Sequence, residues 1–244
     1  MANHSGETSP LVYARVAGLM YLIMAICGPF SLLYVPSKLV VSGDATATAN
    51  NIMASEWLFR LGFVGESIVF LSEIVLVVML YTLFKPVSKT LSLVAAFFRL
   101  AMATIQGINL LNKFTALLLL SGAAYLTIFK PDQLHALALL YLNAHEYGAF
   151  IWGAFFGFHC LVLGYLLYKS TYLPRILGIL LAAASVGYLT DSFGNFLFAN
   201  YEATISLVFL VPGTIGELLL AFWLLFKGVD VQKWHDRNKD TVVS

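Results

Sequence analysis

This chain is short of charge. Only 11% of its 244 residues are Asp, Glu, Lys or Arg, less than half the share usual in a soluble domain, and its mean hydropathy is +0.84. That balance excludes a soluble fold and leaves a polytopic membrane protein. Cysteine is scarce too. Cys27 and Cys160 both sit in apolar runs, which excludes a disulfide framework and makes them small packing residues. Glycine-rich nucleotide loops and clustered basic patches are missing, so nucleic acid is not an expected partner. The net charge of +1 points to no partner at all. There is no G-x-S-x-G elbow. HEYGA at 145 to 149 departs from H-E-x-x-H because position 149 is Ala, so the two-histidine zinc helix is absent. No resident metal or cofactor is implied. The N-terminal segment carries one cation before its first apolar run and no small-residue cleavage site, and reads as a retained span.

What the chain has instead is long apolar runs. Six stretches, about 13 to 35, 63 to 84, 89 to 111, 147 to 168, 176 to 198 and 205 to 226, can cross a hydrocarbon core of roughly 30 Å as helices. Pro or polar residues mark the breaks in FKPVSK, FKPDQ, KSTYLPR and NYEAT. The expected fold is therefore an all-helical integral membrane bundle of six spans. Residues 1–228 form a single transmembrane domain, and 229–244 a polar, disordered cytoplasmic tail.

Cation bias sets an expected orientation. With both termini cytoplasmic, the inner side holds Arg15, Lys85, Lys89, Lys169, Arg175, Lys227, Lys233, Arg237 and Lys239, and the outer side only Lys38, Arg60 and Lys130. From Leu110 to Gly148 the chain stays apolar and helix-compatible, which leaves two options. Spans three and four continue outward as a long hairpin, or residues 114–129 and 133–150 add a pair of crossings. The second option needs a sharp turn near Tyr147-Gly148-Ala149, where no Pro or polar cluster stands, so the projecting hairpin is preferred.

Misplaced charges are the functional clue. Spans two and three are joined by a short turn at Pro86, so in an antiparallel pair Glu73 faces Arg99 and Glu66 faces Gln106. The first pair lies about 10 residues, roughly 15 Å, from the boundary. A lone charge at a span centre costs on the order of 2.5 to 3.5 kcal/mol, so pairing is favoured. Glu66 and Glu73 are seven residues apart, as are Arg99, Gln106 and Lys113, so each set shares a helix face. Counting in from Lys169, Arg175 and Lys227 brings His159, Ser185 and Glu217 to the depth of Glu73 and Arg99. An outer layer would hold Glu66, Gln106, Asn109, Asp191 and Asn195, with His145 and Glu146 near the rim. Intramembrane ionisable residues face a bundle interior or a wet cavity, and so mark a candidate site.

That site has three readings. Glu73, Arg99, His159, Glu217, Glu66, Gln106 and Asp191 bind or carry a proton, an ion or a small molecule. Alternatively, His159 and carboxylates form an intramembrane hydrolase or metalloenzyme, or the same groups hold together an accessory subunit. With Glu73 committed to Arg99, Glu217 lacks an assigned cation, so Glu217 and His159 are the expected proton-exchanging pair. PGTIGE at 212 to 217 favours the first reading, since Pro212, Gly213 and Gly216 can loosen a helix beside Glu217. GAFFG at 153 to 157 reads as a close-packing surface. The bilayer is the partner that composition requires.

Several motifs resemble one family across nearly the whole chain. ARVAGLMYL at 14 to 22, ASEWLFRLGFV at 54 to 64, KPVSKTLSLVAAFFRL at 85 to 100, NLLN at 109 to 112, HCLVLGYLLYKSTYLPRILG at 159 to 178, DSFGNFL at 191 to 197 and GELLLAFWLLFKGV at 216 to 229 are similar to a bacterial multi-pass membrane family. It is catalogued as a domain of unknown function, number four-three-eight-six. The resemblance implies a single-domain protein of the bacterial inner membrane. It implies no activity, ligand or site residue.

Overall fold

The structure, a computed structural model, describes residues 9–198, 201 and 204–243. The chain enters as α1 (Pro10–Pro29), widens into a π-helical turn over Phe30–Tyr34, and closes as the short α2 (Val35–Leu39). Then come α3 (Ala45–Ala54), α4 (Glu56–Phe84), α5 (Lys89–Leu119), α6 (Pro131–Lys169) and α7 (Arg175–Leu197). The chain ends in α8 (Thr204–Phe222), a second π turn over Trp223–Lys227, and α9 (Val231–Val243). There is no strand among the described residues. Six helical stretches are long and apolar enough to cross a membrane, in agreement with the number read from the sequence. The break assigned to NYEAT, and Met1–Thr8, lie mostly or wholly outside the described residues.

Local sequence accounts for the ends of these helices. Asp44 caps α3, its carboxylate accepting from the Ala47 amide at 2.8 Å. Pro131 opens α6, where a missing amide hydrogen costs nothing, and the Gln133 side chain accepts from the Lys130 amide at 2.9 Å. Gly228 follows the sixth span at φ +68°, a conformation that disfavours a side chain.

Helices enter the ambiguous stretch from Leu110 to Gly148 from both ends. α5 runs on to Leu119, a short connection carries one 3-10 turn over Ala124–Leu126, and α6 runs unbroken for 39 residues. The helix is unbroken at Tyr147-Gly148-Ala149, where the option of two extra crossings needs a sharp turn.

Two compact units divide the chain: residues 23–71 with 103–152, and residues 1–22 with 72–102 and 153–244. The first has its own apolar core, with Val35, Leu39, Ile52, Phe59, Ala116, Ala138 and Leu142 packed together. In the second, small residues let helices approach closely. A Cβ on Gly164 would press on the Gly178 carbonyl at 2.8 Å, and one on Gly153 would meet the Ser192 hydroxyl, also at 2.8 Å. Those contacts make GAFFG part of the α6 packing surface. Gly213 and Gly216 lie against Ala184 and Leu180 of α7, and α8 runs through Pro212 as a helix. The expectation that PGTIGE loosens the helix is corrected: its glycines serve backbone approach, and the irregular turn lies further on, at Trp223–Lys227.

The tail also departs from expectation. It is not disordered from Val229 on; Val231–Val243 forms α9, and Trp234 is buried. The Trp234 indole donates to the Leu83 carbonyl at 2.9 Å, and the Tyr172 hydroxyl donates to the same oxygen at 2.8 Å. Leu83 lies in the last turn of α4, where carbonyls have no partner within the helix. Composition misled here because a polar helix can be held by one aromatic anchor.

Candidate functional site

Each unit encloses one ionic cluster. In the unit built from 1–22, 72–102 and 153–244, Arg99 of α5 is 1% exposed. Its Nε lies 2.5 Å from Glu73 Oε2 of α4 as an ion pair, without the alignment of a hydrogen bond. Its Nη1 donates to the Tyr21 hydroxyl at 3.1 Å and to His159 Nε2 at 2.9 Å. His159 Nδ1 donates to the Ala95 carbonyl at 2.9 Å. A carbonyl only accepts and a guanidinium only donates, so the imidazole is the neutral Nδ1–H tautomer. The rings of Tyr21 and Phe156 flank the guanidinium, with centroids 5.1 and 5.7 Å away. A space of about 10 Å³ adjoins the cluster beside Ser92, Ala95, Arg99 and His159, scarcely room for one water.

His159 and Glu217, the expected proton-exchanging pair, are held by different partners. His159 has both ring nitrogens engaged, and its acceptor nitrogen faces a cation. Glu217 of α8, half-buried, accepts from the Tyr188 hydroxyl at 3.5 Å. Asp191 of α7 is half-buried and its carbonyl accepts from the Asn195 side chain at 2.8 Å.

In the unit built from 23–71 and 103–152, the buried carboxylate is Glu66 of α4, fully inaccessible to solvent. Lys113 of α5 donates to its Oε1, and His145 Nε2 of α6 donates to its Oε2 at 2.9 Å. Gln106, the residue expected opposite Glu66, does not bond to it; Lys113 does. In antiparallel helices each side chain tilts toward its own N-terminus. Glu66 and the long Lys113 therefore lean toward one another across a seven-residue offset. The π turn of Phe30–Tyr34 brings the Ser31 carbonyl to 3.5 Å from Lys113 Nζ. Asn109 donates from Nδ2 to the His145 carbonyl at 2.8 Å, and Asn112 donates to Asn109 Oδ1 at 2.9 Å. A Cβ at position 148 would run into the Asn109 amide, so Gly148 is what lets α5 reach the α6 backbone.

This second cluster borders open space. A chamber of about 50 Å³ is lined by Glu66, Gln106, Asn109, His145 and Trp152. A larger one of about 420 Å³ has Lys113, Asn143, His145 and Glu146 in its wall. Leu32, His145 and Ala149 line both. Gln106 Oε1 is buried without a hydrogen-bond partner. The arrangement can orient a small polar molecule and can exchange hydrogen bonds at His145 and Lys113. Among the described residues no three His, Cys, Asp or Glu side chains come together as metal ligands, so the set imagined for a metalloenzyme around His159 is not assembled there.

Of the sequence-derived candidates, the structure joins Glu73, Arg99 and His159 in one cluster, and Glu66 and Gln106 in the other. Lys113 and His145 also belong to the second cluster and lie outside the residues expected for the site. The signal for Lys113 was its seven-residue spacing from Gln106. His145 had no such signal toward Glu66, because α4 and α6 are not neighbours in sequence.

A family model described as Domain of unknown function (DUF4386) matches residues 16–228. An uncharacterized protein of Archaeoglobus fulgidus is 33% identical over 165 residues, covering 68% of this chain and 82% of the relative. No solved structure matches. The chain belongs to the DUF4386 family.

Proposed function

We propose that this member of the DUF4386 family binds a small solute within the membrane, a proton, an ion or a small molecule, in the manner of a carrier. The site is the Glu66–Lys113–His145 cluster and the chambers it lines. One observation carries the reading: the side chains that hold the buried Glu66 also form the wall of a cavity of about 420 Å³, a size typical of small-molecule pockets. A clamp with no further role gains nothing from leaving Lys113 and His145 at the edge of open space. The neighbouring π turn supports the same reading, since such turns gather at functional sites.

The chain belongs, on this reading, in the bacterial inner (plasma) membrane. Both termini face the cytoplasm and the α5–α6 hairpin points outward, as the cation bias favours. Reporter fusions after Lys89 and Lys239 should register cytoplasm and one after Lys130 the outer side.

The binding reading is tested by access. On a Cys27→Ala, Cys160→Ala background, Ala149→Cys on the wall shared by both chambers is compared with Ala95→Cys beside the Arg99 cluster. A small charged methanethiosulfonate applied to the reconstituted protein should modify position 149 at least about tenfold faster, a difference of 1.4 kcal/mol in barrier. Equal rates would mean that no solute reaches the Glu66 cluster, and the reading would fall.

A further inference from the structure

We infer that the Glu66 site is built for a small organic monocation, an ammonium group on a short apolar body. This rests on the reading above and narrows it to a chemical class. The first ground is the orphan acceptor. Gln106 is 7% exposed, its Oε1 has no partner, and it lines the chamber of about 50 Å³. A buried acceptor left unmade is costly, so the occupant that relieves it must donate. Lys113 and His145 each already bond one of the two Glu66 oxygens.

Charge gives the second ground. The ionisable groups that line the two chambers are Glu66, Lys113, His145 and Glu146. His145 donates from Nε2 to Glu66. The two carboxylates outnumber the one ammonium on these walls, an excess that an added cation offsets and an added anion enlarges. Trp152 also lines the small chamber, and an indole ring is the best aromatic surface for a cation.

Shape supplies the third. Leu32, Pro36, Val40 and Leu142 give the larger chamber an apolar side, suited to a hydrocarbon body leading away from the charged head. The small chamber has room for a head group and a water or two, not for a whole ligand.

The test uses the purified full chain in detergent at neutral pH with three probes of similar shape: n-butylammonium, n-butanol and butyrate. Butylammonium should bind at least about tenfold more tightly than either of the others, a step of 1.4 kcal/mol. Gln106→Leu should weaken it by about the same factor, and Gln106→Glu, which adds a carboxylate in place of the orphan amide, should tighten it. A butanol affinity equal to that of butylammonium would overturn the proposal in favour of a merely apolar or water-filled chamber. A preference for butyrate would overturn it in favour of an anion site at Lys113. Binding by none of the three, with position 149 still reactive, rejects the ligand class alone. An unreactive position 149 rejects the site itself.

Discussion

The two ionic clusters are made of similar parts and differ in what surrounds them. Arg99 is enclosed by Glu73, Tyr21, His159 and the ring of Phe156, and the space beside it is about 10 Å³. Glu66 is gripped as firmly by Lys113 and His145, yet those two side chains also face a cavity of about 420 Å³. A charge whose partners are all protein groups is fixed in place, and a charge whose partners border free volume can trade them. Burial alone therefore does not identify a site in a membrane bundle. What identifies it is burial of the charge together with access to its partners.

The largest expected effect breaks the enclosed cluster. Glu73→Ala or Arg99→Ala leaves one buried charge without its counterion, a change that typically costs about 3 to 5 kcal/mol. Glu73→Gln combined with Arg99→Met leaves no orphan charge and should recover much of that loss. Reversible unfolding in mixed micelles would give the double-mutant cycle, with a coupling well above the roughly 0.5 kcal/mol of independent sites. Additive losses would show that Arg99 depends chiefly on Tyr21 and His159, and that the enclosure has been read wrongly.

The same deletion at the other cluster should cost less. Glu66→Gln removes the charge from between Lys113 and His145, but both can turn toward solvent or solute in the chamber they line. A loss of about 1.5 to 3 kcal/mol is expected, the scale of hydrogen bonds to a charged group. The same unfolding assay ranks the two carboxylates. If Glu66→Gln proves as damaging as Glu73→Ala, the chamber does not relieve Lys113, and the contrast between the clusters collapses.

Much of this was legible in the sequence, for particular reasons. Glu73 and Arg99 could be paired because α4 and α5 are consecutive and the turn at Pro86 is short, so depth follows from counting. The six spans followed from apolar runs bounded by Pro and polar residues. Counting gave depth but neither rotation nor crossing, so it matched Glu66 to Gln106 when the tilt of the side chains favoured Lys113. It also grouped His159 with Glu217, although the imidazole is engaged by Arg99 and Ala95. Contacts from α6, such as His145 to Glu66 and Gly148 to Asn109, join segments far apart in the chain and leave no periodic trace. α9 escaped notice because its composition is polar, while its attachment rests chiefly on Trp234.

Gly148 offers a finer probe of the open cluster. Gly148→Ala places a methyl group against the Asn109 amide, so the bond from Asn109 to the His145 carbonyl must lengthen or break. Overpacking of this kind costs about 1 to 3 kcal/mol. Restored helix propensity offsets up to about 1 kcal/mol of that. A net loss near 1 kcal/mol is expected, and butylammonium binding should weaken with it as His145 shifts. Asn109→Ala paired with Gly148→Ala should be less damaging than the two single losses summed, since the clash is then gone. Strict additivity would mean that Asn109 does not hold α6 through this contact.

The smallest effect lies outside the membrane-spanning helices, at the start of α9. Asp230 accepts from the Lys233 amide at 3.2 Å and pairs with its ammonium at 3.2 Å. The backbone bond, and the Lys233 side chain after it, hold the Asp230 carboxyl below its ordinary value. A carboxylate whose folded pKa is depressed contributes stability that is complete above its unfolded pKa and is lost as pH falls through the folded one. Docking of α9 should therefore be constant near neutrality and weaken below about pH 4, where an ordinary Asp begins to protonate. Asp230→Asn should show the weakened state at all pH values and no acid step of its own. Trp234 supplies the readout: with its indole labelled by fluorine, release from the Leu83 carbonyl would shift the resonance. The group is exposed and its partner is a surface lysine, so the shift should be a minor population change. An acid transition of the same size in Asp230→Asn would assign the loosening to some other carboxyl and leave α9 held by Trp234 alone.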